Sequence, residues 1–145
     1  MIEKAIEYTR TVFADDASGH DFYHTMRVYR MALLIAEEEG AERQIVALAA
    51  LLHDWDDRKL SPATYDGKDR AVTFLVENGA SETQIAQLVQ ILSEISFSAG
   101  CGVPATIEGK CVQDADRLDA IGAIGIARAF AYGGSQGRPM YDPEG

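Results

Sequence analysis

Histidine and cysteine are scarce in this chain of 145 residues, which contains three histidines and two cysteines. Two thiols cannot form the disulfide framework of a small secreted domain, so we expect a reducing cytoplasm as the compartment. No apolar run approaches the roughly 20 residues that a membrane span needs, and the charged N-terminal segment is unlike a signal peptide. These shortages argue against a disulfide-stabilised scaffold and against a membrane protein.

Positive charge is also in deficit, because 13 Lys and Arg stand against 23 Asp and Glu and give a formal net charge of −10. So acidic a surface repels polyanions, and we therefore expect neither nucleic-acid polymers nor anionic membranes as partners. The chain is 47% hydrophobic and 25% charged, which is ordinary for a globular protein and excludes general disorder. Its length corresponds to one domain with a substantial core.

Strand-like alternation is weak throughout, whereas apolar residues recur at helical spacing. We therefore expect an all-α fold, a compact bundle of about six helices. The third helix is apolar on nearly every side, which predicts a buried central helix. The predicted helices cover approximately residues 2–15, 20–39, 41–54, 69–77, 82–95 and 106–132.

Four ionisable residues stand out against this helical background. His24 lies early in the second helix, His53 and Asp54 end the apolar third helix, and Asp116 lies in the last helix. Two ionisable residues that end an apolar run would be costly to bury unpaired. Two imidazoles and two carboxylates form a donor set that suits Mn²⁺, Fe²⁺, Co²⁺, Ni²⁺ or Zn²⁺, with Mg²⁺ as a further candidate.

Each of these residues also has a structural interpretation. A single histidine on an amphipathic helix is usually a hydrogen-bonded core residue, which applies to His24 taken alone. Asp116 could lie on a solvated face, and we expect its neighbours Asp114 and Asp119 to be solvated acids of that kind. It is the combination of four residues on three helices that favours a metal site.

The order and context of these residues resemble those of the HD-domain metal-dependent phosphohydrolase superfamily. HTMRV at 24–28 is similar to its H-x-x-R-V motif, and AALLHD at 49–54 resembles its A-x-L-L-H-D motif. VQDADRLDAIG at 112–122 resembles its D-A-D-x-L-D-A segment, in which Asp116 takes the metal-ligand role. The resemblance covers about residues 18–134 and is greatest to the bacterial YpgQ/YedJ-like branch.

The resemblance implies a hydrolase of small nucleotides that releases pyrophosphate from (deoxy)nucleoside triphosphates by means of a metal-activated water. A nucleoside 5′-monophosphate phosphomonoesterase and a non-catalytic, metal-stabilised helical binding module are the alternatives. The implied domain covers residues 1–145, with a helical core at 18–134 and a flexible tail at 135–145 that is truncated relative to the family. Helical bundles of this size often pair, so a homodimer stays open.

The histidine count predicts one metal ion, because only His20 is left once His24 and His53 are assigned. A second ion held by His20 and carboxylates is the alternative. His20 precedes His24 by one helical turn and is a candidate catalytic residue that could hydrogen-bond the activated water or a departing phosphate. It could equally cap the start of the helix.

Related HD nucleotidases carry an acidic residue four positions after the histidine of the HD pair, where it orients or deprotonates the attacking water. The resemblance transfers this catalytic role to Asp57, with Asp56 as the rival. Guanosine tetraphosphate hydrolases have a Glu-Asp pair there, whereas Arg58 follows Asp57 in this chain, which argues against that activity. Lys59 and Arg27 are candidates for substrate binding through phosphate oxygens, Arg27 in a bidentate manner.

Overall fold

The structure, a computed structural model, describes residues 1–14, 21–56, 63–64, 66–95 and 102–141. Within these residues, α-helices are the only regular secondary structure, and the predicted all-α fold is confirmed. Seven helices form instead of about six. They are α1 (Ile2–Val12), α2 (Phe22–Glu39), α3 (Arg43–Leu52), α4 (Asp69–Glu77), α5 (Glu82–Ile95), α6 (Ile107–Leu118) and α7 (Gly122–Ser135).

Helix α3 lies at the centre of the bundle, as its apolar sequence predicts. Every residue from Ile45 to Leu52 is buried, and the helix packs against α1, α2, α5 and α6. Burial of each large aliphatic side chain contributes about 1.5–3 kcal/mol, so this helix fixes the positions of its neighbours. The residues that follow Leu52 therefore leave the centre of the core at a well-defined point.

Three helix boundaries are capped by the residues that the sequence suggests. Gly40 ends α2 in the left-handed conformation, with φ of 68°. At the start of α5, the Ser81 amide donates to Gln84 Oε1 (3.1 Å) and the Gln84 amide donates to Ser81 Oγ (3.2 Å), which forms a capping box. Thr106 Oγ1 accepts from the Gly109 amide (3.1 Å) at the start of α6.

The prediction of one last helix over 106–132 is wrong, because the chain turns between α6 and α7. Asp119 caps the end of α6, and Gly122 begins α7 with φ of 67°, a conformation that favours glycine. A Cβ atom on Gly125 would collide with the carbonyl oxygen of Ala120, so the turn also needs a small residue there. Because apolar residues continue at helical spacing on both sides of the turn, the sequence pattern did not indicate a break in the helix.

Helix α7 is apolar in sequence but lies at the surface of the part that the structure describes, where none of its residues is buried. Ile126 is 62% exposed and Phe130 is 51% exposed. Over the same part of the chain, no helix combines the length and the apolar character that crossing a membrane requires.

Candidate metal centre

Four predicted site residues meet where α2, α3 and α6 pack together. His24 lies on the first turn of α2, His53 and Asp54 directly follow the last residue of α3, and Asp116 lies on the last turn of α6. The Nε2 atoms of His24 and His53 are 3.3 Å apart. Asp54 Oδ2 lies 3.4 Å from the first of these atoms and 3.1 Å from the second.

Asp116 completes the cluster from its more exposed side. Its Oδ1 lies 3.4 Å from His24 Nε2 and 3.9 Å from His53 Nε2. The Asp116 side chain is 36% exposed, whereas that of Asp54 is 12% exposed and that of His24 is fully buried. The cluster is therefore enclosed by the bundle on one side and accessible past Asp116 on the other.

Hydrogen bonds behind the two rings determine which nitrogen faces the cluster. His53 Nδ1 lies 2.8 Å from the Ala50 carbonyl oxygen, and His24 Nδ1 lies 2.7 Å from Asp119 Oδ2. Neither oxygen has a proton to give, so each Nδ1 is the donor. In the neutral rings, both Nε2 atoms therefore carry lone pairs directed at the cluster.

The spacing and chemistry of these donors fit a divalent metal ion. Adjacent ligands on an ion with bonds of about 2.1 Å lie about 3.0–3.4 Å apart in octahedral or tetrahedral geometry, a range that contains the three distances among His24, His53 and Asp54. These three residues could hold a metal ion. With both rings neutral, the buried Asp54 Oδ2 has no hydrogen-bond donor among the described residues, as expected of an oxygen placed to bind a cation.

The proximity of these groups shifts their pKa values. Burial lowers the pKa of His53, but the charge and hydrogen bond of Asp54, the charge of Asp116 and the Ala50 carbonyl outweigh it and raise that pKa to about 9. Burial raises the pKa of Asp54, but the charge of His53 and the contacts with both imidazoles lower it well below its usual range. The metal-free cluster therefore holds a proton at neutral pH, which a metal ion would displace.

Asp119 is not the solvated acid that the sequence suggested, because it is only 7% exposed. Besides the bond from His24, its carboxylate accepts bonds from Arg27 and Arg128. Burial raises the pKa of Asp119, but the hydrogen bonds and positive charges of His24 and Arg27 lower it far below the usual value. Asp119 follows Asp116 by three residues, which is about one helical turn. This spacing could have indicated from the sequence that the two carboxylates lie on the same side of the helix.

Arg27 forms a bidentate ion pair with Asp119, whereas the sequence predicted a bidentate contact with substrate phosphate oxygens. Its Nε donates to Asp119 Oδ1 (2.7 Å) and its Nη2 donates to Oδ2 (3.0 Å). The side chain is 37% exposed, so the guanidinium is also accessible from solvent. Its contact with a substrate phosphate stays a prediction.

Three further predicted residues, His20, Asp57 and Lys59, lie outside the described residues. The structure therefore brings together the four predicted metal ligands and Arg27, and the roles of the other three stay predictions. Asp119 and Arg128 lie behind the cluster of four predicted ligands. Neither residue was assigned to the site from the sequence.

The residues after the His-Asp pair fix the local backbone. Asp56, the rival for the catalytic role, is 2% exposed, and its carboxylate accepts from the backbone amides of Arg70 (3.2 Å) and Ala71 (3.0 Å) at the start of α4. Both oxygens are thus used in capping a helix. Trp55 is fully buried and donates from Nε1 to Thr9 Oγ1 (3.1 Å), so it is a core residue.

Several known proteins are similar to this chain. The sequence model of the HD domain family matches residues 21–121. The uncharacterised protein YpgQ of Bacillus subtilis strain 168 is 39% identical over 145 residues, which cover 98% of this chain and 71% of YpgQ. The crystal structure of YpgQ in complex with ADP has a TM-score of 0.81 at 37% identity, covering 99% of this chain and 73% of that one. An HD-superfamily hydrolase from Bacillus thuringiensis is 46% identical with a TM-score of 0.74, covering 98% and 69%.

Proposed function

Because this chain belongs to the HD-domain family of hydrolases, we propose that it cleaves phosphate anhydride bonds of small nucleotides at one divalent metal ion. His24, His53, Asp54 and Asp116 hold that ion. The preferred reaction releases pyrophosphate from (deoxy)nucleoside triphosphates. The observation that carries the proposal is the convergence of two imidazole Nε2 atoms and a buried carboxylate oxygen, all within 3.4 Å of one another.

A bound divalent cation lowers the pKa of a water molecule and neutralises charge on a phosphate group. The chain itself supplies the buried donors that hold the cation and the open side, past Asp116, by which a substrate can reach it. Phosphoryl transfer depends mainly on positioning and charge stabilisation, so a small number of further residues is sufficient.

Those further residues are the remaining predicted ones. Asp57 orients or deprotonates the attacking water, and His20 hydrogen-bonds that water or the departing phosphate. Lys59 and Arg27 contact phosphate oxygens. The capping role of Asp56 supports the choice of Asp57, because the carboxylate of Asp56 is already engaged by two backbone amides.

The similarity to YpgQ supports a nucleotide as the substrate. YpgQ was crystallised in complex with ADP, a nucleotide that contains a phosphate anhydride bond. The net charge of −10 would repel such an anion, but a cation held by Asp54 and Asp116 converts this acidic cluster into a phosphate-binding site. The metal-free protein should therefore bind nucleotides poorly.

The test is a hydrolysis assay in which pyrophosphate and orthophosphate are measured separately. Chelator-treated protein is reloaded with Mn²⁺, Co²⁺, Ni²⁺, Zn²⁺ or Mg²⁺ and incubated with ribo- and deoxyribonucleoside tri-, di- and monophosphates. We expect metal-dependent release of pyrophosphate and a nucleoside monophosphate. Orthophosphate from monophosphates would instead identify a phosphomonoesterase, and no product with any ion would contradict both activities.

A matched pair of variants on α6 ties the activity to the site. Asp116→Asn removes a proposed ligand and should abolish the metal-dependent activity. Asp114→Asn removes the same charge from an exposed position on the same helix and should retain it. Equal activities of the two variants would contradict the assignment of Asp116.

A further inference from the structure

A buried carboxylate lies behind His24, at the end of the ring opposite the metal centre. Asp119 Oδ2 accepts a hydrogen bond of 2.7 Å from His24 Nδ1, and the ring itself is fully buried. The ring therefore meets the donor cluster through Nε2 and Asp119 through Nδ1. A carboxylate at this position determines which of the two nitrogens carries the proton.

Two arginines hold the Asp119 carboxylate from different helices. Arg27 on α2 donates to both of its oxygens, at 2.7 and 3.0 Å. Arg128 on α7 donates from Nη1 to Oδ2 (3.2 Å) and to the Asp119 backbone carbonyl (3.2 Å). With two cations beside it, the carboxylate is an anion that accepts hydrogen bonds and cannot donate one.

We propose that Asp119 is a positioning residue that fixes His24 as the Nδ1-protonated tautomer and thereby presents Nε2 to the metal ion. The inference rests on the proposed metal centre. Arg27 and Arg128 keep the carboxylate ionised and oriented, so the ring cannot adopt the opposite tautomer, in which a proton on Nε2 would occupy the ligand position. Partners of this kind typically change metal affinity by about 10–100-fold.

His53 provides an internal comparison within the same site. Its Nδ1 donates to the Ala50 carbonyl oxygen (2.8 Å), an acceptor that belongs to the backbone and survives any side-chain substitution. Loss of the Asp119 carboxylate should therefore affect the tautomer of His24 and leave the Nδ1 proton of His53 in place. A general disturbance of the bundle would affect both rings.

The first readout is the tautomer of each histidine, measured by ¹⁵N NMR of the metal-free protein. In the wild type we expect His24 to be protonated at Nδ1 and unprotonated at Nε2. In Asp119→Asn, one of the two carboxylate oxygens becomes an NH₂ group and the negative charge is lost, so the Nδ1 proton of His24 is held less strongly and part of the population should carry its proton on Nε2. Asp119→Glu retains an anionic acceptor and should restore the wild-type tautomer.

The second readout is the affinity for Zn²⁺ and Co²⁺, measured by competition with a chromogenic chelator. We expect Asp119→Asn to bind both ions about 10–100-fold more weakly, while Asp119→Glu recovers most of the affinity. Asp114→Asn is the matched control, since it removes an exposed acid from the same helix and should bind as the wild type does. Circular dichroism verifies that the variants are folded.

The outcomes separate this inference from the proposed function. A wild type that binds neither ion would overturn the metal centre itself. A wild type that binds both ions, together with an Asp119→Asn variant of equal affinity and unchanged His24 tautomer, would overturn only the role of Asp119. If Asp119→Asn does not fold, the wild-type ¹⁵N spectrum still tests the tautomer of His24. A His24 ring protonated at Nε2 and not at Nδ1 would overturn the inference.

Discussion

His24 and His53 face each other with their Nε2 atoms 3.3 Å apart, while the Nδ1 atom of each ring donates to an oxygen behind it. In the neutral rings, two lone pairs then point into one space, and the carboxylate of Asp54 points into the same space. Three electron-rich atoms at this distance repel one another unless a cation lies between them. In the metal-free protein a proton reduces this repulsion. A divalent ion, which carries twice the charge and can contact all three atoms, would reduce it further.

Metal binding should therefore release protons. Because the surrounding carboxylates raise the pKa of His53 to about 9, this ring is charged at pH 7.5 and must lose its proton to become a ligand. We expect release of about one proton per bound Zn²⁺ at pH 7.5, falling towards zero above pH 9. Calorimetric titrations in buffers of different ionisation enthalpy measure this number. Binding without proton release at pH 7.5 would contradict the protonated cluster.

The same pKa predicts how the stability of the metal-free protein depends on pH. The pKa of His53 is raised from 6.5 when unfolded to about 9 when folded, so its contribution is complete below pH 6.5 and is lost as the pH rises through 9. The loss is at most roughly 3 kcal/mol. Urea unfolding with a chelator at pH 6.5, 8 and 10 measures it. His53→Gln should abolish most of this dependence, and an equal dependence in that variant would assign it to other groups.

The four proposed ligands could be predicted from sequence because each lies in a segment whose apolar periodicity fixes its orientation. His53 and Asp54 end a helix that is buried on every side, and His24 and Asp116 lie on amphipathic helices whose buried faces meet it. Where such faces pack together, the polar residues at their ends meet as well. The apolar pattern of the three helices was therefore sufficient to predict that the four residues lie close together.

The contact between Asp119 and Arg128 could not be predicted in the same way, because it depends on a turn that periodicity does not reveal. An uninterrupted helix would continue the apolar pattern through Ile121 and Ile124, and the pattern carries no mark of the break at Gly122. The turn is what allows Arg128 to reach back to Asp119. Contacts of this kind depend on tertiary packing and are not encoded in the spacing along a single helix.

The turn itself can be tested at Gly125. An alanine Cβ there would collide with the carbonyl oxygen of Ala120, so we expect Gly125→Ala to lose about 1–3 kcal/mol of unfolding free energy and to weaken metal binding by displacing Asp119. Gly134→Ala on the same helix has open space and should be neutral or stabilising by up to about 1 kcal/mol. Urea unfolding compares the two. A Gly125→Ala variant as stable as Gly134→Ala would mean that the turn tolerates a side chain.

Asp56 should matter for stability and not for metal binding. Its carboxylate accepts from the amides of Arg70 and Ala71, so Asp56→Ala removes the cap of α4 and should cost about 1–2 kcal/mol of unfolding free energy. The affinity for Zn²⁺ should stay within about twofold of the wild type, an expectation that follows from the absence of Asp56 from the donor cluster. If Asp56→Ala has normal stability but binds Zn²⁺ poorly, Asp56 takes part in the metal site and this prediction is wrong.

Substitution of Asp54 distinguishes a catalytic metal ion from a structural one. Its Oδ2 contacts both imidazoles, at 3.4 and 3.1 Å, and Asp54→Asn preserves its shape while removing the charge that attracts a cation. The bundle around the site is held by the apolar core centred on α3, so we expect this variant to fold without metal, as its circular dichroism will report. It should lose more than about tenfold in metal affinity, and with it the hydrolase activity. A variant that unfolds, or a wild type that unfolds when its metal is chelated, would instead identify an ion required for folding, because such an ion contributes its binding free energy to the folded state.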